Sequence, residues 1–298
     1  MTNLMSMNLL GGIEAGGTKF ICGFGTGPND LVTARFPTTT PEETLHHVIA
    51  FLKEKAGARL RAVGIGSFGP VDLDPISPTY GSITSTPKPG WASVNLIRPV
   101  ENALGIPVGF DTDVNAAALG EAEWGAGRDL SDLLYLTVGT GIGGGAIVGN
   151  LIMHGLVHPE MGHIRVPHDR ARDPFDGVCP YHGDCLEGLA SGPAMKERWG
   201  APAEELPADH PAWALEAHYL ALGVATLALT LSPRRIVLGG GVMQPHLFGP
   251  LRDEFARLMN GYVRHAAVTE RLDEYVVPPA LGNRSGILGA LVLGAMLT

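Results

Sequence analysis

Residues 9–24 (LLGGIEAGGTKFICGF) and residues 133–148 (LLYLTVGTGIGGGAIV) follow one plan: an apolar run, a glycine-rich turn, a second apolar run. Each run is short and bounded by glycine, so each stretch reads as a strand–turn–strand hairpin with a bare backbone tip. Such a tip lets amide N–H groups come close to a phosphate, and Thr18 and Lys19 add a hydroxyl and a cation beside Gly16 and Gly17. It is not a Walker loop, which ends in Gly-Lys-Ser/Thr and opens a helix. The two hairpins begin the two halves of the chain. They predict two related α/β domains facing each other, each offering a glycine turn to one nucleotide, with a hinge near residues 111–120. The competing explanation is coincidence in a chain with 41 glycines.

The segments between and after the hairpins supply scaffold. Thr40 can cap a helix with Pro41 in its first position and Glu43 completing a capping box, while Leu45, Val48, Ile49 and Leu52 share one face. Residues 61–66 form a short strand opening into the loop 67–72, the end of a strand where α/β sheets usually hold ligands. A second loop of similar character is 84–91 (TSTPKPGW), followed by a helix carrying Leu96, Ile97, Val100 and Leu104. A strand at 107–110 runs into 111–121 (DTDVNAAALGE), where a helix begins. An aspartate there is either an N-cap or a carboxylate kept ionised and oriented for use as a general base. Farther on, a helix over about 211–231 precedes the strand 235–238, the glycine loop Gly239-Gly240-Gly241 and a last helix entered through 282–286, the alternation of an α/β fold.

The chemistry concentrates in residues 158–193 (HPEMGHIRVPHDRARDPFDGVCPYHGDCLEGLASGP). Cys179, His182 and Cys185 are each separated by two residues, a knuckle that turns three donors toward one ion, and His163 or His168 returns as the fourth. This reads as a structural zinc site, against a plain polar loop or a Cys179–Cys185 disulfide, which would need an oxidising compartment. Glu160 and Glu187 flank the donors, and carboxylates fixed on a metal loop suit neutral polyols, since each accepts hydrogen bonds from hydroxyls without a charged partner.

Composition limits the partners. A chain of 298 residues with 45% hydrophobic content is long enough for two folded domains, and a net charge of -9 argues against nucleic acid and anionic membranes as partners. The N-terminal residues lack the basic and apolar segments of a secretory leader, and the most apolar run, 287–297, is too short to span a bilayer. The expectation is a cytoplasmic protein with a buried C-terminal helix.

Taken in order, GGIEAGGTK, GSFGPVD, TPKPGW, DTDVNAAALGE, VGTGIGGG, HPEMGH, CPYHGDCLEGLASGP and IVLGGGV cover nearly the whole chain. In this series the chain resembles the ROK family of bacterial sugar kinases and sugar-responsive repressors, most closely its zinc-containing fructokinases. The resemblance implies two actin-like (ribonuclease H-like) α/β domains with an active-site cleft between them, taking ATP with magnesium and a hexose. The expected division is 1–112, completed by the C-terminal helix 286–298, and 113–285 carrying the zinc.

Carried over by position, the resemblance makes Asp113 the base that takes the sugar hydroxyl's proton, with Asp111 in reserve. Glu160, His163 and Glu187 are implied sugar contacts, and His163, Cys179, His182 and Cys185 the zinc ligands. Gly16, Gly17, Thr18, Lys19, Thr140, Gly141 and Pro193 fall at the nucleotide phosphates, and Gly240 and Gly241 at the adenosine. Three positions depart from commoner family patterns: Thr112 and Lys88 replace asparagines, and His182 replaces a cysteine of the knuckle. The implied reaction is phosphoryl transfer from ATP to the 6-hydroxyl of a hexose, fructose first, by a homodimer. The alternatives are mannose, glucose or an N-acetylhexosamine as acceptor, or a sugar-sensing regulator. The regulator is disfavoured because the first glycine hairpin starts at residue 11, ahead of which a DNA-binding domain has no room.

Overall fold

The computed structural model describes residues 8–298. Positions 1–7, on which the expectation of no secretory leader largely rests, lie outside the described residues. The chain forms two compact units: residues up to Asp129 with Ile152–Pro159 and Ala280–Thr298, and Leu130–Leu151 with Glu160–Pro279. The division thus falls after Asp129, where the sequence reading placed it after 112; the helix at 113–124 packs on the C-terminal helix of the first unit and stays with it.

The first unit is built on a five-stranded sheet. Strands β1 (Leu9–Ala15), β2 (Lys19–Gly25), β3 (Val32–Pro37), β4 (Leu60–Ser67) and β5 (Val108–Thr112) lie in the order β3-β2-β1-β4-β5. β1 pairs antiparallel with β2 across the first glycine turn and parallel with β4, so β1 is central and its hairpin tip sits at its C-terminal end. Helix α1 (Pro41–Lys55) starts as expected, the Glu43 N–H donating to Thr40 Oγ1 at 3.3 Å. The capping box is altered, because the Glu43 carboxylate accepts from the Thr39 hydroxyl instead (2.7 Å). Helices α2 (Ile97–Leu104) and α3 (Asp113–Trp124) complete the middle of the unit.

Trp91 of the second loop is a core anchor. It is fully buried, tilted against Phe20 at 5.3 Å, and donates its indole N–H to Thr39 O (2.9 Å). The C-terminal helix, Ser285–Ala295, is buried along nearly its whole length, as the apolar run 287–297 led one to expect. Its glycines allow this: a Cβ on Gly289 would lie 1.5 Å from Ala116 O, so the helix backbone rests directly on α3. Glu121 of α3, wholly buried, closes the join by accepting from the N–H groups of Ala126, Ala280 and Leu281 and from Ser285 Oγ.

The second unit repeats this plan. Strands β6 (Leu133–Val138), β7 (Ile142–Val148), β8 (Leu151–Ile152), β9 (Arg235–Gly239) and β10 (Val276–Val277) lie in the order β10-β9-β6-β7-β8. β6 is antiparallel to β7 across the second glycine turn and parallel to β9, which is parallel to β10. Read from the edge strand of the hairpin, both sheets have the same order, so the echo between the two hairpins reflects a repeated topology rather than chance. Helices α4 (Leu186–Ala190), α5 (Gly192–Trp199), α6 (Ala212–Leu231) and α7 (Phe248–Met259) follow.

Candidate active site and metal centre

Four side chains of the second unit converge as the knuckle predicts. One donor atom each from His163, Cys179, His182 and Cys185 lies within 4.8 Å of every other. Gly183, at φ +61°, closes the tight turn between the cysteines, and Cys179 and Gly183 exchange backbone hydrogen bonds. Cys179 Sγ is 3.7 Å from His163 Nδ1 and 3.6 Å from His182 Nδ1, and Cys185 Sγ is 3.5 Å from His163 Nδ1. In a tetrahedral zinc site, bonds of about 2.3 Å to sulfur and 2.0–2.1 Å to nitrogen put S and N about 3.6 Å apart. The donor set therefore fits a metal ion of that kind.

All three cysteines are free thiols, so the disulfide alternative does not hold. Burial pushes the Cys185 thiol up to about 11, so a nearby cation is what would make this sulfur anionic. Of the two candidate histidines, His163 is the one that the fold brings to the cluster. His168 is engaged elsewhere, with Nδ1 at 3.1 Å from Asp184 Oδ2 and Nε2 at 2.9 Å from Asp173 O.

The glutamates that flank the donors are drawn to the same place. Glu187 enters in the first turn of α4, two residues after Cys185, and its Oε1 faces His163 Nε2 at 4.0 Å. Its Oε2 accepts from the Ile142 N–H (2.9 Å), the residue that follows the second glycine turn. Glu160 is exposed as a residue, yet partial burial of its carboxyl raises it above the usual carboxylate range; His163 opposes the shift and Glu187 adds to it. The second glycine turn is held further by α5, whose Gly192 N–H donates to Gly139 O (2.7 Å). Ser191 caps that helix and Pro193 lies in its first turn.

In the first unit, Asp113 is the first residue of α3, half-buried, with Oδ1 accepting from the Val114 N–H (2.9 Å). Neither aspartate is the cap. Thr112 caps α3 by accepting from the Asn115 N–H (3.1 Å), and Asp113 presents its carboxylate at the positive end of the helix dipole. Asp111 is buried and its oxygens are taken by the Thr112 N–H (2.7 Å), Asn115 Nδ2 (2.8 Å) and His154 Nε2 (2.8 Å). It is a structural anchor and His154, whose pKa this bond raises, is its partner. Sequence reasoning missed this pair, since 43 positions separate the two and only the fold joins them.

The glycines of the turns divide into two kinds. A Cβ on Gly16 would meet Lys19 O at 2.7 Å, and Gly240, at φ +98°, would place one 2.2 Å from Val138 O; both are glycine for the fold. Gly17 and Gly241 have no atom within 4 Å of such a Cβ and no positive φ, so the fold gives no reason for glycine there. Gly17 thus leaves bare backbone open beside exposed Thr18 and Lys19, a surface that a phosphate could approach.

Residues 10–296 match the ROK family. The chain belongs to the ROK family. It is 44% identical over 288 residues to a protein of Pediococcus pentosaceus named fructokinase, covering 96% of this chain and 97% of that one. Among solved structures it resembles a ROK hexokinase from Thermus thermophilus, with TM-score 0.78 and 28% identity over 97% of this chain and 98% of that one. It also resembles a ROK family glucokinase from Streptomyces griseus in complex with glucose and AMPPNP, with TM-score 0.76 and 29% identity over 97% and 100% of the two chains. The ROK chain described here accordingly has the two-domain actin-like, ribonuclease H-like α/β fold, its repeated sheets being the two halves of that fold.

Proposed function

We propose that the chain is an ATP-dependent fructokinase that transfers the γ-phosphoryl group to the 6-hydroxyl of fructose. The observation that carries the sugar is the 44% identity, over 96% of the chain, to a protein named fructokinase. The reaction type is supported by Asp113 at the head of α3 and by the open glycine turns. Phosphoryl transfer asks the protein for positioning and charge rather than covalent chemistry. Asp113, at the N-terminus of α3, accepts the proton of the attacking hydroxyl. Glu160, His163 and Glu187 orient the sugar through its hydroxyls. Gly16, Gly17, Thr18, Lys19, Thr140, Gly141 and Pro193 hold the phosphates, and Gly240 and Gly241 lie along the adenosine. Magnesium arriving with ATP offsets the phosphate charge.

The metal held by His163, Cys179, His182 and Cys185 is zinc, a structural ion that fixes the loop bearing Glu187; the S···N distances of 3.5–3.7 Å support it. A homodimer is the proposed assembly, with exposed Leu156 and Val157 as apolar surface it would cover, and sedimentation should return twice the chain mass. Three free thiols suit the reducing cytoplasm.

The deciding experiment is ATP turnover with fructose, mannose, glucose and N-acetylmannosamine, with Asp113→Asn alongside. Fructose should give the highest kcat/KM, and the variant should lose kcat on the order of 10²–10⁴-fold with its fold intact. A higher kcat/KM for another sugar overturns the substrate. Near-normal turnover by Asp113→Asn overturns the base.

A further inference from the structure

Glu187 is bound from both sides within the second unit. One oxygen faces the metal-cluster histidine, His163 Nε2, at 4.0 Å, and the other takes the Ile142 N–H at 2.9 Å. Gly141 makes room for this second bond, since a Cβ there would stand 2.7 Å from Glu187 Oε2. The turn so anchored is otherwise held by short backbone bonds, Gly139 N–H to Gly141 O (2.9 Å) and Gly192 N–H to Gly139 O (2.7 Å). The carboxylate has little freedom to leave, because Cys185 precedes it by two residues and the Ser191 N–H returns to Glu187 O (3.1 Å). A buried-side N–H bonded to a charged acceptor is among the stronger single hydrogen bonds, and its loss frees the backbone that it held.

We propose that Glu187 is a positioning residue for the glycine turn Gly139-Thr140-Gly141: through the Ile142 N–H it sets the turn's shape for the nucleotide phosphates while the same carboxylate meets the sugar. The metal loop thereby governs nucleotide affinity as well as sugar affinity. The two ligands are linked through one side chain, and the linkage is reciprocal. This proposal rests on the reading of that turn as the phosphate site.

The test is calorimetric titration of AMPPNP with magnesium into the metal-loaded, sugar-free protein, followed by fructose in a separate titration. Wild type, Glu187→Gln and Glu187→Ala are compared, with metal content and Tm recorded for each. Glutamine retains a carbonyl oxygen for the Ile142 N–H, whereas alanine offers none. Glu187→Ala should bind AMPPNP about 10- to 100-fold more weakly. Glu187→Gln should stay within about threefold of wild type for AMPPNP, and both variants should lose fructose affinity. Normal AMPPNP binding by Glu187→Ala, with fructose binding lost, overturns the proposal and leaves the kinase reading standing. Equal weakening by Gln and Ala also overturns it. A wild type that binds no AMPPNP overturns the kinase reading and this proposal together.

Gly141→Ala approaches the same contact from the other side and serves if Glu187→Ala does not fold. It should weaken fructose binding as well as AMPPNP binding, because its methyl group displaces Oε2. An effect on AMPPNP alone would overturn the link.

Discussion

Gly240 and Gly241 are neighbours in the chain with opposite reasons for being glycine. The first is held at φ +98° with its missing Cβ 2.2 Å from Val138 O, and the second has open space where a side chain would go. Gly240→Ala should therefore destabilise the protein by about 2–4 kcal/mol, from left-handed strain and overpacking together. Gly241→Ala should leave Tm nearly unchanged and weaken nucleotide binding, because its methyl group would occupy the space beside the proposed adenosine. Thermal melts and AMPPNP titrations of the two variants separate these roles. The same division applies to the aspartates: Asp111 has three hydrogen-bond donors around it and Asp113 stands at the helix head, a distinction that the string Asp-Thr-Asp does not contain.

Helix α6, Ala212–Leu231, illustrates what an element can conceal. Among the described residues it is the one helix long and apolar enough to cross a membrane, yet 61% of its most apolar window is buried inside the protein, as a core helix is. It carries Glu216 in that core, 2% exposed, with neither carboxylate oxygen hydrogen-bonded. Burial raises the Glu216 pKa well above the ordinary carboxylate value, and only Arg198 acts against it. A carboxyl with a raised folded pKa binds its proton more tightly in the native state than in the unfolded one. The native state is thus favoured below the unfolded pKa, and that advantage is lost as pH rises through the folded value. Between the two values the loss is about 1.4 kcal/mol per pH unit. Glu216→Gln should remove this slope, so its Tm advantage over wild type should grow from pH 5 to pH 8. An advantage that is constant with pH would show that Glu216 is ionised in the fold.

At the level of the whole molecule, two units of one topology are assembled from interleaved segments of chain. The first unit needs Ala280–Thr298, whose helix is buried against α3, so truncation before Ser285 should leave no folded protein. Circular dichroism and solubility check this. In the second unit, the four donors of the proposed metal come from separate turns, so metal binding would be part of folding. A chelator should lower Tm and release about one zinc per chain. Cys179→Ser should do the same and weaken fructose binding through the loosened loop.

Local chemistry determined much of this protein from sequence alone. Glycine turns between apolar runs specify hairpins, Thr40-Pro41 starts a helix, and two-residue spacings bring Cys179, His182 and Cys185 onto one small loop, because each depends on neighbours within a few positions. Only the tertiary structure brought His163 rather than His168 to the cysteine cluster, joined His154 to Asp111, placed Glu187 against Ile142 and put the unit boundary at Asp129. Those outcomes rest on groups 16 to 164 positions apart, and contacts at such separations are set by how sheets and helices pack rather than by any local pattern.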